Sequence, residues 1–179
     1  TYSKRLAPAL RVGYIVAPPE LRSILISMKR VVDLSSSQLL QYGLAEFMER
    51  GYLRAHGERM RHEYRARRDA LDAALRKALP PELTWHRPTH GVVLWLRLPA
   101  DMSVRDVYDE ALRRGVIVSP GPLWSVGAEA ERGLRLSFCA ESSERLVEGA
   151  RRLGKAIKQL TGQTRVQPAA ASESTLEVV

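Results

Sequence analysis

Two hydroxyl residues and a lysine stand together as Thr1-Tyr2-Ser3-Lys4, with Arg11 seven positions beyond the lysine. A lysine amine condenses with an aldehyde to form a Schiff base when desolvation or nearby positive charge lowers its pKa. Hydroxyls and a guanidinium beside it suit a phosphate, because the planar arginine fork pairs with phosphate oxygens. The plainer alternative is an exposed lysine on a turn. A second arginine, Arg135, lies inside the apolar run Gly133-Leu134-Arg135-Leu136-Ser137-Phe138. Burying an unpaired charge is costly. Arg135 therefore either points to solvent from an edge strand or meets an anion.

Other candidates carry less. His90, in Pro88-Thr89-His90-Gly91, reads as a turn histidine. Trp124, in Pro120-Gly121-Pro122-Leu123-Trp124-Ser125, reads as packing. His56 and His62 have no partners at metal-ligand spacing, so no metal site is assigned. The residues of 54–77 include eight Lys or Arg, but Glu58, Glu63, Asp69 and Asp72 are interspersed at pairing distances. Mixed-sign charge without interleaved aromatics points to a solvated structural helix rather than a nucleic-acid face.

The elements that must position these residues follow from periodicity. Residues 11–16 are rich in β-branched types and read as a short buried strand closed by Pro18-Pro19. Leu21, Ile24, Leu25, Met28 and Val32 step at helical intervals. Ser35-Ser36-Ser37 breaks the chain and caps a second helix, which Gly51 ends. A long helix is expected over about 52–79, with a stripe of Leu53, Met60, Tyr64, Leu71, Leu75 and Leu79. After Pro80-Pro81 the texture changes. Leu83–His86, Val92–Leu98, Val116–Val118 and Leu134–Cys139 read as strands. Ser103 caps a helix stopped by Gly115, and Ser142-Ser143 starts another with Leu146, Ala150, Leu153, Ile157 and Leu160. The order β-β-α-β-β-α implies a small α/β layer. Residues 161–179 lose periodicity and read as a disordered tail.

Composition sets the frame. The chain has 179 residues, 45% hydrophobic and 27% charged, which excludes wholesale disorder. No apolar run reaches the roughly 18 residues of a membrane span. Lys plus Arg less Asp plus Glu is 28 − 20 = +8, which permits anionic ligands without specifying one. The single cysteine, Cys139, cannot form an internal disulfide, which fits a cytoplasmic protein. The chain starts at Thr1 and reads as the back portion of a longer protein.

Residues 1–18, Thr-Tyr-Ser-Lys-Arg-Leu-Ala-Pro-Ala-Leu-Arg-Val-Gly-Tyr-Ile-Val-Ala-Pro, resemble the Ser-x-Ser-Lys…Leu-Arg-x-Gly-Tyr segment of fold-type-I pyridoxal-phosphate (PLP) aminotransferases. Thr1 stands for the commoner serine and keeps the hydroxyl; Ala9 replaces a common glycine. The resemblance implies that Lys4 forms the internal aldimine with PLP and that Thr1 and Arg11 contact the cofactor phosphate. The Leu-Arg-Leu-Ser-Phe strand is similar to the one whose arginine grips the substrate α-carboxylate, here Arg135. Within the family the sequence looks closest to the aminotransferase-like domain of MocR-type regulators of the GntR superfamily. Leu44-Ala45-Glu46-Phe47, Arg59-Met60-Arg61, Tyr64–Leu71 and Gly121–Ser125 carry that likeness. Single-function aminotransferases of the 2-aminoadipate type share much of it.

The resemblance covers about residues 1–160. It implies the C-terminal part of a fold-type-I transferase: 1–50 the end of the PLP-binding large domain, 51–80 a long connecting helix, and 81–160 the small α/β domain. The implied activity is sensing an amino acid as its external aldimine, or transamination of that amino acid. A homodimer is implied, and DNA would be reached only through an N-terminal domain outside this chain.

Overall fold

Proline and serine set the first helix boundaries. The computed structural model describes residues 1–124 and 132–164. Pro19 opens α1 (Pro19–Asp33), where its fixed φ suits a first turn and its missing N–H costs nothing. The Ser37 side chain accepts the Leu40 amide and caps α2 (Gln38–Glu49). Gly51, at φ 75°, separates α2 from α3 (Tyr52–Ala78), the long helix expected from the sequence. The chain divides into two compact units, Thr1–Glu63 and Tyr64–Val179.

In the first unit Leu44 and Leu53 are buried, and the rings of Phe47 and Tyr52 meet at 5.4 Å. No residue of α1 is buried; Ile24, Met28, Val31 and Val32 of its apolar side are exposed. The strand expected over residues 11–16 does not form. A strand is a pairing of backbones, and here the Arg11 amide closes onto Pro8 while the Val12 carbonyl accepts the Tyr2 amide at 2.9 Å, with no ladder among the described residues. Tyr14, Ile15 and Val16 are exposed. Their β propensity has no neighbouring strand to act on.

The second unit is a sheet with helices. Four strands, β1 (Thr84–Trp85), β2 (Val93–Arg97), β3 (Ser119–Pro120) and β4 (Gly133–Ser137), form an antiparallel sheet in the order β1-β2-β4-β3. The register sets Trp95 opposite Arg135 on one side and Ser119 opposite Arg135 on the other. Alternation then sorts the strand residues. Leu94, Leu96, Leu134 and Leu136 are buried in one core with Leu71 and Leu75 of α3, Val107 and Ala111 of α4 (Val104–Arg113), and Leu153 and Ile157 of α5 (Ser143–Thr164). Each fully buried leucine there contributes about 1.5–3 kcal/mol. Val93, Trp95, Arg135 and Ser137 fall on the opposite face.

Ser103 caps α4 by accepting the Asp106 amide, and Gly115 (φ 71°) ends it, as the sequence predicts. The expected strand over 116–118 is displaced. The Val116 amide is spent on the Ala111 carbonyl at the end of α4, so pairing with β4 begins only at Ser119. Ile117 is left 82% exposed. At the other end, α5 continues to Thr164, four residues into the stretch read as tail, with the Thr161 hydroxyl donating to the Ile157 carbonyl. Residues 165–179 of that tail, and Ser125, lie outside the described residues.

Two arginines of α3, Arg67 and Arg68, turn toward the sheet, while Arg65 and Arg76 stay exposed. Arg67 donates to the Cys139 carbonyl at 2.8 Å, just past β4. Arg68 donates to the Pro88 carbonyl at 3.1 Å and to Asp69, which also binds Arg87. Asp72 accepts the Trp85 indole N–H at 2.8 Å and pairs with Arg76. These bonds tie α3 to the segments that enter β2 and leave β4.

Candidate functional site

The candidate residues fall into one cluster in each unit. In the first, the turn over residues 3–6 carries Lys4, fixed by the Arg5 and Leu6 amides donating to the Tyr2 carbonyl. A short 3-10 helix, Pro8–Leu10, follows and ends on Arg11. Arg11 has φ 50° and ψ 30°, left-handed backbone that costs a non-glycine residue of order 1 kcal/mol or more. The chain then folds back. The Thr1 hydroxyl donates to the Val12 carbonyl at 3.2 Å and accepts the Ser3 amide, and the rings of Tyr2 and Tyr14 lie 5.8 Å apart. Thr1 is thus brought beside the neighbour of Arg11, with Lys4 on the turn between them.

Thr1, Lys4 and Arg11 are all exposed, and among the described residues no carboxylate pairs with Lys4 or Arg11. An amine, a hydroxyl and a guanidinium on one closed loop are the donor set that an aldehyde bearing a phosphate requires. The residues present therefore fit PLP.

The second cluster lies on the sheet. Arg135 is on an inner strand, between β2 and β3, so the edge-strand alternative is set aside. Its side chain leaves the core face and is half-buried. No carboxylate among the described residues pairs with it. Instead its guanidinium carbon lies 4.2 Å from the centre of the Trp124 ring. Such a stack is worth about 0.5–1 kcal/mol at an exposed position. Trp95, directly opposite in the ladder, flanks it on the same face.

Trp95 is held by an absence. A Cβ on Gly133 would lie 2.5 Å from the Trp95 indole nitrogen and 3.0 Å from the Leu96 carbonyl. The indole occupies the space that a side chain at 133 would fill. From the sequence Trp124 reads as packing, and Trp95 does not stand out. The alternation of Leu94 and Leu96 against Trp95 was the available signal. His90 behaves as a turn residue, its Nδ1 2.9 Å from the Thr89 hydroxyl and followed by Gly91 at φ 78°.

The titrating acids of this unit are structural. Arg68 holds the Asp69 carboxyl below its ordinary value against burial, helped by Arg87. Burial would raise Asp72, but the Trp85 N–H and Arg76 outweigh it and hold it low. Arg151 and Arg152 pull Glu148 down to about 2. A cleft of about 340 Å³ opens beside α5, but its arginines are already paired, Arg145 with Glu141 and Arg152 with Glu148. Arg135, Trp95 and Trp124 do not line it. Among the described residues no group of three or more His, Cys, Asp or Glu is placed to hold a metal, and no helix is long and apolar enough to cross a membrane.

A small antiparallel sheet layered with helices, preceded by a lysine turn and an arginine loop, is the C-terminal architecture of fold-type-I transferases. The chain belongs to the aminotransferase class I and II family, whose model matches residues 1–153. It is 35% identical over 89% of its length to a 2-aminoadipate transaminase of Thermus thermophilus, covering 40% of that protein. It is 32% identical over 90% of its length to the HTH-type transcriptional regulator YdfD of Bacillus subtilis, covering 33% of it. Among solved structures it resembles the alpha-aminoadipate aminotransferase LysN of Thermus thermophilus, crystallised with N-(5'-phosphopyridoxyl)-L-leucine. The TM-score is 0.86 at 34% identity, over 90% of this chain and 41% of that one. The chain thus spans about 40% or less of the length of these relatives.

Proposed function

We propose that this chain is the C-terminal part of a PLP-binding, aminotransferase-like domain that senses an amino acid in a MocR/GntR-type transcriptional regulator. Residues 1–50 complete the cofactor-binding large domain, 51–80 connect, and 81–160 form the small domain. The observation that carries the reading is Arg135: a guanidinium on the open face of an inner strand, with no carboxylate partner among the described residues. Similarity to the HTH-type regulator supports the regulatory output. DNA would then be bound by a domain outside this chain, in a cytoplasmic homodimer. The exposed apolar side of α1 supports burial against more protein than these residues supply.

When bound, PLP supplies an electron sink that loosens the α-proton of an amino acid. Lys4 would hold the aldehyde carbon through Nζ. Once released, the same nitrogen can accept the proton leaving Cα. Arg11 would pair with the phosphate through its fork, and the Thr1 hydroxyl would turn from the Val12 carbonyl to the same phosphate. Arg135 would take the α-carboxylate of the amino acid through its planar fork.

A second reading, a free-standing aminotransferase of the 2-aminoadipate type, is favoured by the 35% identity to that enzyme. One set of measurements on the full-length protein tests both. Borohydride should trap PLP on the peptide containing Lys4, and Lys4→Ala should abolish trapping and the visible absorbance. Trapping on a different lysine would sink the assignment. Arg135→Ala should leave PLP bound and cost about 2–4 kcal/mol in amino-acid binding. Amino-acid-dependent promoter output without turnover identifies the regulator; steady keto-acid formation identifies the enzyme.

A further inference from the structure

Ser119 pairs with Arg135 across the β3–β4 ladder, yet the chain returns to Arg135 five residues later. Pro120 and Pro122 fix φ on either side of the buried Gly121, and the Trp124 amide closes the turn by donating to the Gly121 carbonyl at 2.8 Å. The result is a hook that lays the indole over the guanidinium. Trp124 keeps 54% of its surface exposed, so burial does not explain the placement. Its ring stacks on the Arg135 guanidinium.

That contact has a directional consequence. An arginine's N–H donors all lie in the plane of the guanidinium. A ring stacked on one face blocks that approach and restrains the plane, while the edge stays open. A free arginine side chain must give up rotamer freedom to form two parallel bonds to a planar anion. One already stacked has given up part of it.

We propose that Trp124 is a positioning residue, which stacks on Arg135 and presents the guanidinium edge to the α-carboxylate of an amino acid. The proposal rests on the reading of Arg135 as the carboxylate-binding residue, and Trp124 acts only through it. A ligand lacking the carboxylate gains nothing from Trp124.

The test uses the full-length, PLP-loaded protein and two probes: L-leucine, and 3-methylbutylamine, which is leucine without its carboxylate. Binding is followed by the visible absorbance of the bound cofactor. Trp124→Leu should weaken L-leucine about three- to thirtyfold, the worth of a cation–π contact between exposed and desolvated limits. It should leave 3-methylbutylamine within twofold. Trp124→Phe, which keeps an aromatic face, should recover most of the loss. In an Arg135→Ala background, Trp124→Leu should cost nothing further. Equal losses for both probes would overturn the proposal, because they mark a general effect on the fold or cofactor. No loss for either probe, with Arg135→Ala still defective, would overturn it while leaving the carboxylate reading standing. Wild-type leucine affinity in Arg135→Ala would remove that reading and the proposal with it. Should Trp124→Leu fail to retain PLP, Trp124→Gln is carried through the same comparison and decides it by the same outcomes.

Discussion

Gly133→Ala is a one-methyl perturbation whose sign depends on a neighbour. The added Cβ would stand 2.5 Å from the Trp95 indole nitrogen, 2.7 Å from its adjacent ring carbon and 3.0 Å from the Leu96 carbonyl. An indole is rigid, and the Leu96 carbonyl is backbone of the paired strand β2, so relief must come from rotating Trp95 as a whole. Overpacking of this kind costs about 1–3 kcal/mol. Against it stands the lower unfolded-state entropy of alanine, worth about 0.5–1 kcal/mol in a strand. The net expectation is a loss of up to about 2.5 kcal/mol. In a Trp95→Val background the indole is gone and only the Leu96 contact remains, so Gly133→Ala should there be neutral or slightly stabilising. Urea unfolding of the four proteins, with unchanged m-values, gives a coupling of at least about 1 kcal/mol between the two sites. An equal loss in both backgrounds would refute the reasoning, since the Trp95 ring would then not occupy the space beside Gly133.

Three further outcomes are expected. Asp72→Ala strands the half-buried Trp85 N–H and should destabilise by about 1–2 kcal/mol, whereas Asp72→Asn, which keeps an acceptor, should cost less than half as much in the same unfolding assay. Asp69, Asp72, Glu110 and Glu148 are all held below their unfolded values, so their contributions are complete above about pH 5 and are lost as pH falls toward about 2. Urea midpoints measured across that range should fall, less steeply in Asp72→Asn; a midpoint flat from pH 5 to 3 would contradict the sign. Arg11→Ala should weaken PLP retention by about 1.5–3 kcal/mol, with Arg11→Lys recovering only part because the fork is lost; unchanged affinity for PLP on equilibrium dialysis would count against the phosphate role.

What was legible in the sequence depended on whether the cause was local. Caps at Ser37 and Ser103, the stop at Gly115 and the stripe of α5 were read correctly because each is decided within one or two turns of helix. The β-branched runs at 11–16 and 116–118 misled for one shared reason: a strand exists only where a partner backbone accepts it. Val12 met only the amide and hydroxyl of the turn before it, not a strand, and Val116 had already given its amide to α4.

Arg135 shows the same limit in the site itself. Its cost in an apolar run signalled function, but the choice between an edge strand and a buried anion omitted the arrangement that occurs. With Leu134 and Leu136 turned to the helices, the residue between them must turn away, and an inner strand can carry a charge on its open face without burying it. Trp124 could not be found this way. Its place over the guanidinium follows from two facts together: β3 pairs with β4 at Ser119, and the proline-bounded turn reverses the chain before residue 124. The first is a long-range register and the second a local turn. Only their combination puts an aromatic ring, rather than water, on one face of the Arg135 guanidinium and leaves its edge open.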